Sequence, residues 1–145
     1  MIIEVNGEEE TKKLGEKIGR QLCGGEIIEL VGDVGSGKTT LTKGIALGLG
    51  VSGVISSPSF TICQQYNCRD GLRLMHYDFY RLSNAGIMAN EIDESIGRPD
   101  VVTIIEWGDI VENILPKSRI TIHIDSLDES ARRITTSFEL KDYKL

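Results

Sequence analysis

Gly32-Asp33-Val34-Gly35-Ser36-Gly37-Lys38-Thr39 fits the pattern G-x-x-x-x-G-K-[ST], and each fixed position has a chemical reason. The glycines let the backbone turn tightly enough to aim several N–H donors at a phosphate chain, helped by the positive end of the helix that follows. Lys38 is expected to reach the β- and γ-phosphates. The Thr39 hydroxyl is expected to hold Mg²⁺, an ion that takes oxygen ligands and keeps few protein groups. Asp33, Val34, Gly35, Ser36, Gly37 and the adjoining Thr40 complete the expected cradle. ATP with Mg²⁺ is the ligand these residues suit. The plainer alternative is a glycine-rich turn with a chance lysine.

Hydrolysis of a bound triphosphate also needs an acidic group near the metal, at the carboxyl end of a neighbouring buried strand. Glu106 ends the apolar run Val101 to Ile105 and is placed that way. It is a candidate metal or water ligand, or merely a strand-end surface residue. In His76-Tyr77-Asp78-Phe79-Tyr80-Arg81, two-residue periodicity puts His76, Asp78 and Tyr80 on one face and Tyr77, Phe79 and Arg81 on the other. Asp78 is then a second acidic candidate, with Tyr77 and Phe79 as core. A half-buried strand with solvated polar residues explains the same pattern.

Ser57-Pro58-Ser59-Phe60-Thr61 lies where such proteins often place a loop that senses the γ-phosphate, and its hydroxyls, Ser59 among them, suit phosphate or metal. A commonplace Ser-Pro turn is the competing reading. Trp107 stacks on a base, faces a partner, or packs at the core rim. His123 has no second ligand nearby and reads as structural.

These groups need a scaffold, and the chain supplies one. Leu14, Ile18 and Leu22 recur every four residues and predict an amphipathic helix from Glu8 to Cys23, ended by Gly24-Gly25. Residues 26–31 are rich in β-branched side chains and read as a strand, closed by Gly32. Lys38 to Leu49 reads as a helix with Gly50 at its end. So the glycine loop falls between strand and helix, as its chemistry demands. Phe60-Thr61-Ile62 and Leu72 to Phe79 read as extended pieces flanking a turn at residues 67–71, where Asp70-Gly71 predicts a hairpin. Ser83 to Pro99 is expected to be helical in part, and Val101 to Ile105 a buried strand. Asp109 to Leu115 predicts a short helix stopped by Pro116, and Arg119 to Ile124 and Arg132 to Leu140 two late strands.

At 145 residues the chain is expected to form one domain spanning residues 1–145. No apolar run approaches the roughly 18 residues of a membrane helix. The start Met1-Ile2-Ile3-Glu4 lacks a basic leader and an apolar stretch, so a cytoplasmic location without a secretory signal is expected. The net charge of -6 argues against a general polyanion-binding surface. Cys23, Cys63 and Cys68 read as reduced thiols, since zinc wants four ligands at tighter spacings.

Taken together, GDVGSGKT, SPSF, HYDFYR and IEW resemble the small bacterial P-loop ATPases of tRNA threonylcarbamoyladenosine (t6A) biosynthesis, the TsaE family. The match spans most of the chain, from the first helix to the strand near Ile124. Ser36 and Ser59 stand where the family commonly has Ala and Thr, and residues 83–99 match less clearly.

The resemblance implies an α/β fold, a P-loop three-layer sandwich whose mostly parallel central sheet carries added antiparallel strands. It implies a weak ATPase that joins a threonylcarbamoyl transferase subunit and its companion, proteins of the TsaD and TsaB type, touching tRNA only through that complex. By carry-over, Lys38 and Thr39 hold phosphate and Mg²⁺, Asp78 and Glu106 serve metal and water, Ser57 to Thr61 form a switch loop, and Trp107 lies near the nucleotide. A nucleotide-gated interaction module fits the same residues without turnover. A small-molecule kinase needs an arginine-bearing lid. Beyond Lys38, Arg81 and the pair Arg132-Arg133, no arginine cluster reads as such a lid.

Overall fold

The computed structural model describes residues 1–52, 63–80, 82, 86 and 88–142. The loop Ser57 to Thr61, with Ser59, the extended piece Phe60-Thr61-Ile62, and Arg81 lie outside them.

Among the described residues seven strands form one sheet: β1 (Ile2–Asn6), β2 (Ile27–Val31), β3 (Cys63–Asn67), β4 (Arg73–Asp78), β5 (Val101–Glu106), β6 (Ile120–Ser126) and β7 (Ala131–Thr136), in the order β1-β7-β6-β2-β5-β4-β3. The central strands β6, β2, β5 and β4 run parallel. Antiparallel strands are added at both sides, β7 and β1 beyond β6, and β3 beyond β4. Parallel strands demand cover on both faces, because their crossovers place helices there. The alternation along β5 shows it: Val102 and Ile104 join one core, and Ile105 the other.

The first core lies under α1 (Gly7–Gln21) and α2 (Lys38–Gly48), with Leu14, Ile18, Leu41 and Ile45 against Ile28, Leu30 and Leu74. The second gathers Tyr77, Phe79 and Ile105 against Ile92 of α3 (Met88–Ser95) and Val111 and Leu115 beyond β5. The three layers expected of a P-loop sandwich are therefore present.

Two helices meet without side chains between them. A Cβ on Gly19 would come within 2.2 Å of the Ile45 carbonyl oxygen, and one on Gly48 within 2.2 Å of that of Glu16. Gly15 and Gly44 fill the same seam one turn earlier, each Cβ meeting the opposite backbone at 2.5 Å or less. At its far end the Arg69 guanidinium donates to Gly48 O at 2.6 Å and Leu22 O at 2.7 Å, tying the carboxyl ends of both helices to the β3–β4 turn.

That turn is the predicted hairpin, with Asp70 (φ 56°) and Gly71 (φ 74°) both left-handed. Other elements depart from expectation. The edge strand β1 carries no expectation from sequence. The strand expected over Arg132 to Leu140 stops at Thr136: Thr136 N–H reaches Met1 O, ahead of the first residue of β1, so the ladder ends on that side, while Ser137 N–H still reaches Thr121 O of β6 at 3.2 Å. Asp109 to Leu115 is not an α-helix but a 3₁₀ turn over Gly108–Val111 followed by irregular turns. Its entry residue Trp107 is left-handed at φ 57°, and Arg119 holds Glu112 at 2.7 Å, so Val111 and Leu115 seat in the core without a continuous helical ladder.

Candidate nucleotide-binding site

The glycine loop leaves β2 and enters α2 through two left-handed residues, Gly35 (φ 80°) and Gly37 (φ 109°), a conformation a side chain resists. Gly32 is needed for a different reason, since a Cβ there would strike the Ser36 Oγ at 2.6 Å and the Ile124 O at 2.8 Å. Lys38 opens α2 and folds back over the loop, donating to Gly32 O at 2.5 Å and Asp33 O at 2.9 Å. Loop carbonyls thus hold the ammonium back over the loop. Burial pulls the Lys38 amine below its ordinary value of 10.5, against the opposing pull of Glu106 and Asp78.

The two acidic candidates come together through register. In the parallel pair of β4 and β5, Asp78 stands opposite Glu106, and on its other side Glu106 stands opposite Leu30 of β2, just before the loop. Both carboxylates therefore emerge at the carboxyl end of the sheet, beside Lys38. Glu106 is not a surface residue: its side chain is 3% exposed, and its Oε2 lies 2.8 Å from His76 Nε2. With Glu106 as a carboxylate, which only accepts, His76 Nε2 is the donor of that bond. His76 is fully buried, which the solvated-face reading of its strand does not allow. Burial pushes the Asp78 carboxyl above 3.8, opposed by the Tyr80 N–H bonded to its Oδ1 at 3.0 Å and reinforced by Glu106.

Trp107 is half-buried at the rim. Its ring lies 5.0 Å from that of Tyr80, and Lys38 Nζ stands 4.7 Å from its centroid. It packs against the second core as well, so rim packing and proximity to the loop hold together. His123 is exposed on β6, lining a second cavity of about 390 Å³ on the other side of the loop.

Lys38, Thr39, Thr40, Asp78, Glu106 and Trp107 all line one cavity of about 470 Å³, with Val34 to Gly37 as its floor. Asp33 faces the second cavity instead. The far wall is built by residues the sequence reading did not single out for the site: Gly7, Glu8 and Thr11 of α1, and Glu129, Ser130 and Arg132 around the β6–β7 turn. No local motif marks them, because only the pairing of β7 with β1 brings these segments to the loop. Among the described residues no three His, Cys, Asp or Glu side chains cluster as a metal site. The oxygen donors of Thr39, Asp78 and Glu106 nevertheless suit a hard cation completed by phosphate oxygens. Also among the described residues, no helix is long and apolar enough to cross a membrane.

The family model described as Threonylcarbamoyl adenosine biosynthesis protein TsaE matches residues 5–134. Proteins named tRNA threonylcarbamoyladenosine biosynthesis protein TsaE are similar across most of the chain. That of Treponema pallidum is 38% identical over 133 residues, covering 89% of this chain and 94% of its own. That of Bacillus subtilis is 37% identical over 133 residues, covering 88% and 78%. The crystal structure of YdiB from Bacillus subtilis matches with a TM-score of 0.78 at 34% identity, covering 94% of this chain and 83% of that one.

Proposed function

The chain belongs to the TsaE family, and from that premise we propose that it binds ATP with Mg²⁺ and hydrolyses it to ADP and phosphate, resetting a threonylcarbamoyl transferase complex in t6A modification of tRNA. The observation that carries this reading is the convergence of Lys38, Thr39, Asp78 and Glu106 on one cavity at the start of α2. Loop amides and Lys38 take the phosphate chain. Thr39, Asp78 and Glu106 would hold Mg²⁺ directly or through water, and the ion supplies charge neutralisation on the transferred phosphoryl group. One carboxylate orients a water for attack on the γ-phosphorus. The bond from that phosphorus to the β–γ bridging oxygen breaks, ADP leaves, and the water's proton passes to the medium.

Partners of the TsaD and TsaB type complete the activity, and tRNA meets the chain through them. A cytoplasmic site of action accords with that role. Replacing Glu106 by Ala should lower ATP hydrolysis with these partners by roughly a hundredfold or more. A purified chain that binds no ATP with millimolar Mg²⁺, alone or with partners, ends this reading.

A second reading rests on Glu106 itself. One of its oxygens is engaged by His76 and the carboxylate is buried, an arrangement suited to slow turnover, in which ATP binding alone drives complex assembly. Repeated modification cycles at the wild-type rate with Glu106→Gln, ATP still bound, favour the gated module over the hydrolase.

A further inference from the structure

We propose that Arg132 is a positioning residue of the phosphate site, fixing the Ser36–Gly37 peptide so that the Gly37 N–H faces the ligand. This rests on the nucleotide-binding reading above. Arg132 Nε donates to Ser36 O at 3.0 Å, while its two terminal nitrogens donate to Asp128 O and Ala131 O at 2.9 Å and to Glu129 O at 3.4 Å. One planar guanidinium thus joins the loop carbonyl to three carbonyls of the β6–β7 turn, a task that needs its forked donors and that a lysine point charge cannot perform.

The peptide geometry transmits the bond. No peptide in the described structure is cis, and across a trans peptide the carbonyl of one residue and the N–H of the next point in opposite directions. Ser36 O, held by Arg132 at the cavity wall, therefore fixes the Gly37 N–H on the opposite side of the same peptide. Gly37 is left-handed and carries no side chain to brace it, so the peptide needs an external hold.

Arg132 is itself well anchored. Its backbone pairs with Val5 of β1 and Ser126 of β6. The turn it grips is closed by Asp128, whose Oδ1 accepts from Ser130 N–H at 2.9 Å and Ala131 N–H at 2.7 Å. Ser130 O accepts from Gly7 N–H at 2.9 Å, at the start of α1. Loop, turn and helix start are one bonded frame around the cavity, and Arg132 is its clasp.

The test compares the wild type with Arg132→Lys, Arg132→Gln and Arg133→Gln. Arg133 is the control, since it points to the exposed Glu4 at 3.1 Å. Dissociation constants for ATP, ADP and AMP are measured with Mg²⁺ by calorimetry, with melting temperatures of the free proteins alongside. The expected result is a tenfold or greater weakening of ATP and ADP binding in both Arg132 variants, little change for AMP, and none in Arg133→Gln. Wild-type affinity in Arg132→Lys would show that charge alone matters and overturns the proposal. A lowered melting temperature in Arg132→Gln with unchanged ADP affinity would show a merely structural residue and overturns it too. If the Arg132 variants fail to fold, Asp128→Ala loosens the same turn: weakened ADP binding supports the proposal, and unchanged binding rejects it. A wild-type protein that binds no nucleotide defeats the nucleotide-binding reading itself, an outcome distinct from all of these.

Discussion

His76 and Glu106 lie 30 residues apart in sequence and 2.8 Å apart in space, both buried, one within β4 and the other at the end of its parallel neighbour β5. Removing the imidazole leaves a buried carboxylate without its donor, which costs about 1–3 kcal/mol. His76→Ala should therefore melt earlier and hydrolyse ATP with partners about ten- to a hundredfold more slowly, as for lost orienting partners of ligating groups. His76→Gln, which restores a side-chain N–H, should recover part of the rate. An unimpaired His76→Ala would show that Glu106 needs no such orientation.

The glycine seam predicts a sharp stability asymmetry. Gly19→Ala or Gly48→Ala forces a methyl into the opposite backbone and should cost about 1–3 kcal/mol, or roughly 2–4 °C of melting temperature per kcal/mol at this chain length. Lys13→Ala, on the exposed face of α1, should stay within about 0.5 kcal/mol. Thermal melts of the three variants decide it.

Trp107 is the single tryptophan of the chain, and Lys38 Nζ stands over its ring at 4.7 Å. If the lysine leaves for a phosphate, the indole loses its cation. Adding ATP and Mg²⁺ should change the tryptophan emission saturably, and Lys38→Ala should alter the starting spectrum and abolish the response. A flat titration in a protein shown by calorimetry to bind ATP would contradict this movement.

Asp128 gives a pH dependence. Its carboxyl lies below the ordinary 3.8, mainly because it accepts the Ala131 and Ser130 N–H groups. The group binds fewer protons folded than unfolded, so its contribution is complete above pH 3.8 and lost as pH falls through the lowered value. The melting-temperature gap between the wild type and Asp128→Ala should be constant from pH 7 to about 5 and close towards pH 3. A gap that widens on acidification would reverse the sign.

What sequence disclosed follows from how locally each feature is encoded. The phosphate loop was legible because its chemistry occupies one contiguous run between a strand and a helix. Strand β5 was legible because burial on both faces leaves no polar alternation to confuse it. Strand β1 was not, since five residues alternating exposed and buried at an edge owe their conformation to β7. The glycines of α1 and α2 count locally as helix weakeners, and their purpose exists only in the opposite helix. Asp78 and Glu106 were each marked by position, yet their adjacency, the burial of Glu106 and its bond to His76 come from strand register. Arg132 was visible only as half of a basic pair, because its acceptors are backbone carbonyls that carry no residue signature.

Where α1 and α2 touch, peptide meets peptide, and no flexible methylenes stand between them to give way. The joint is tight along its length: Gly15 faces Leu41 and Gly44, and Gly19 faces Ile45 and Gly48, on the helix that Lys38 and Thr39 open. Neither helix has side-chain slack at these positions to absorb a shift of the other, so α1 and α2 are packed to move as one piece.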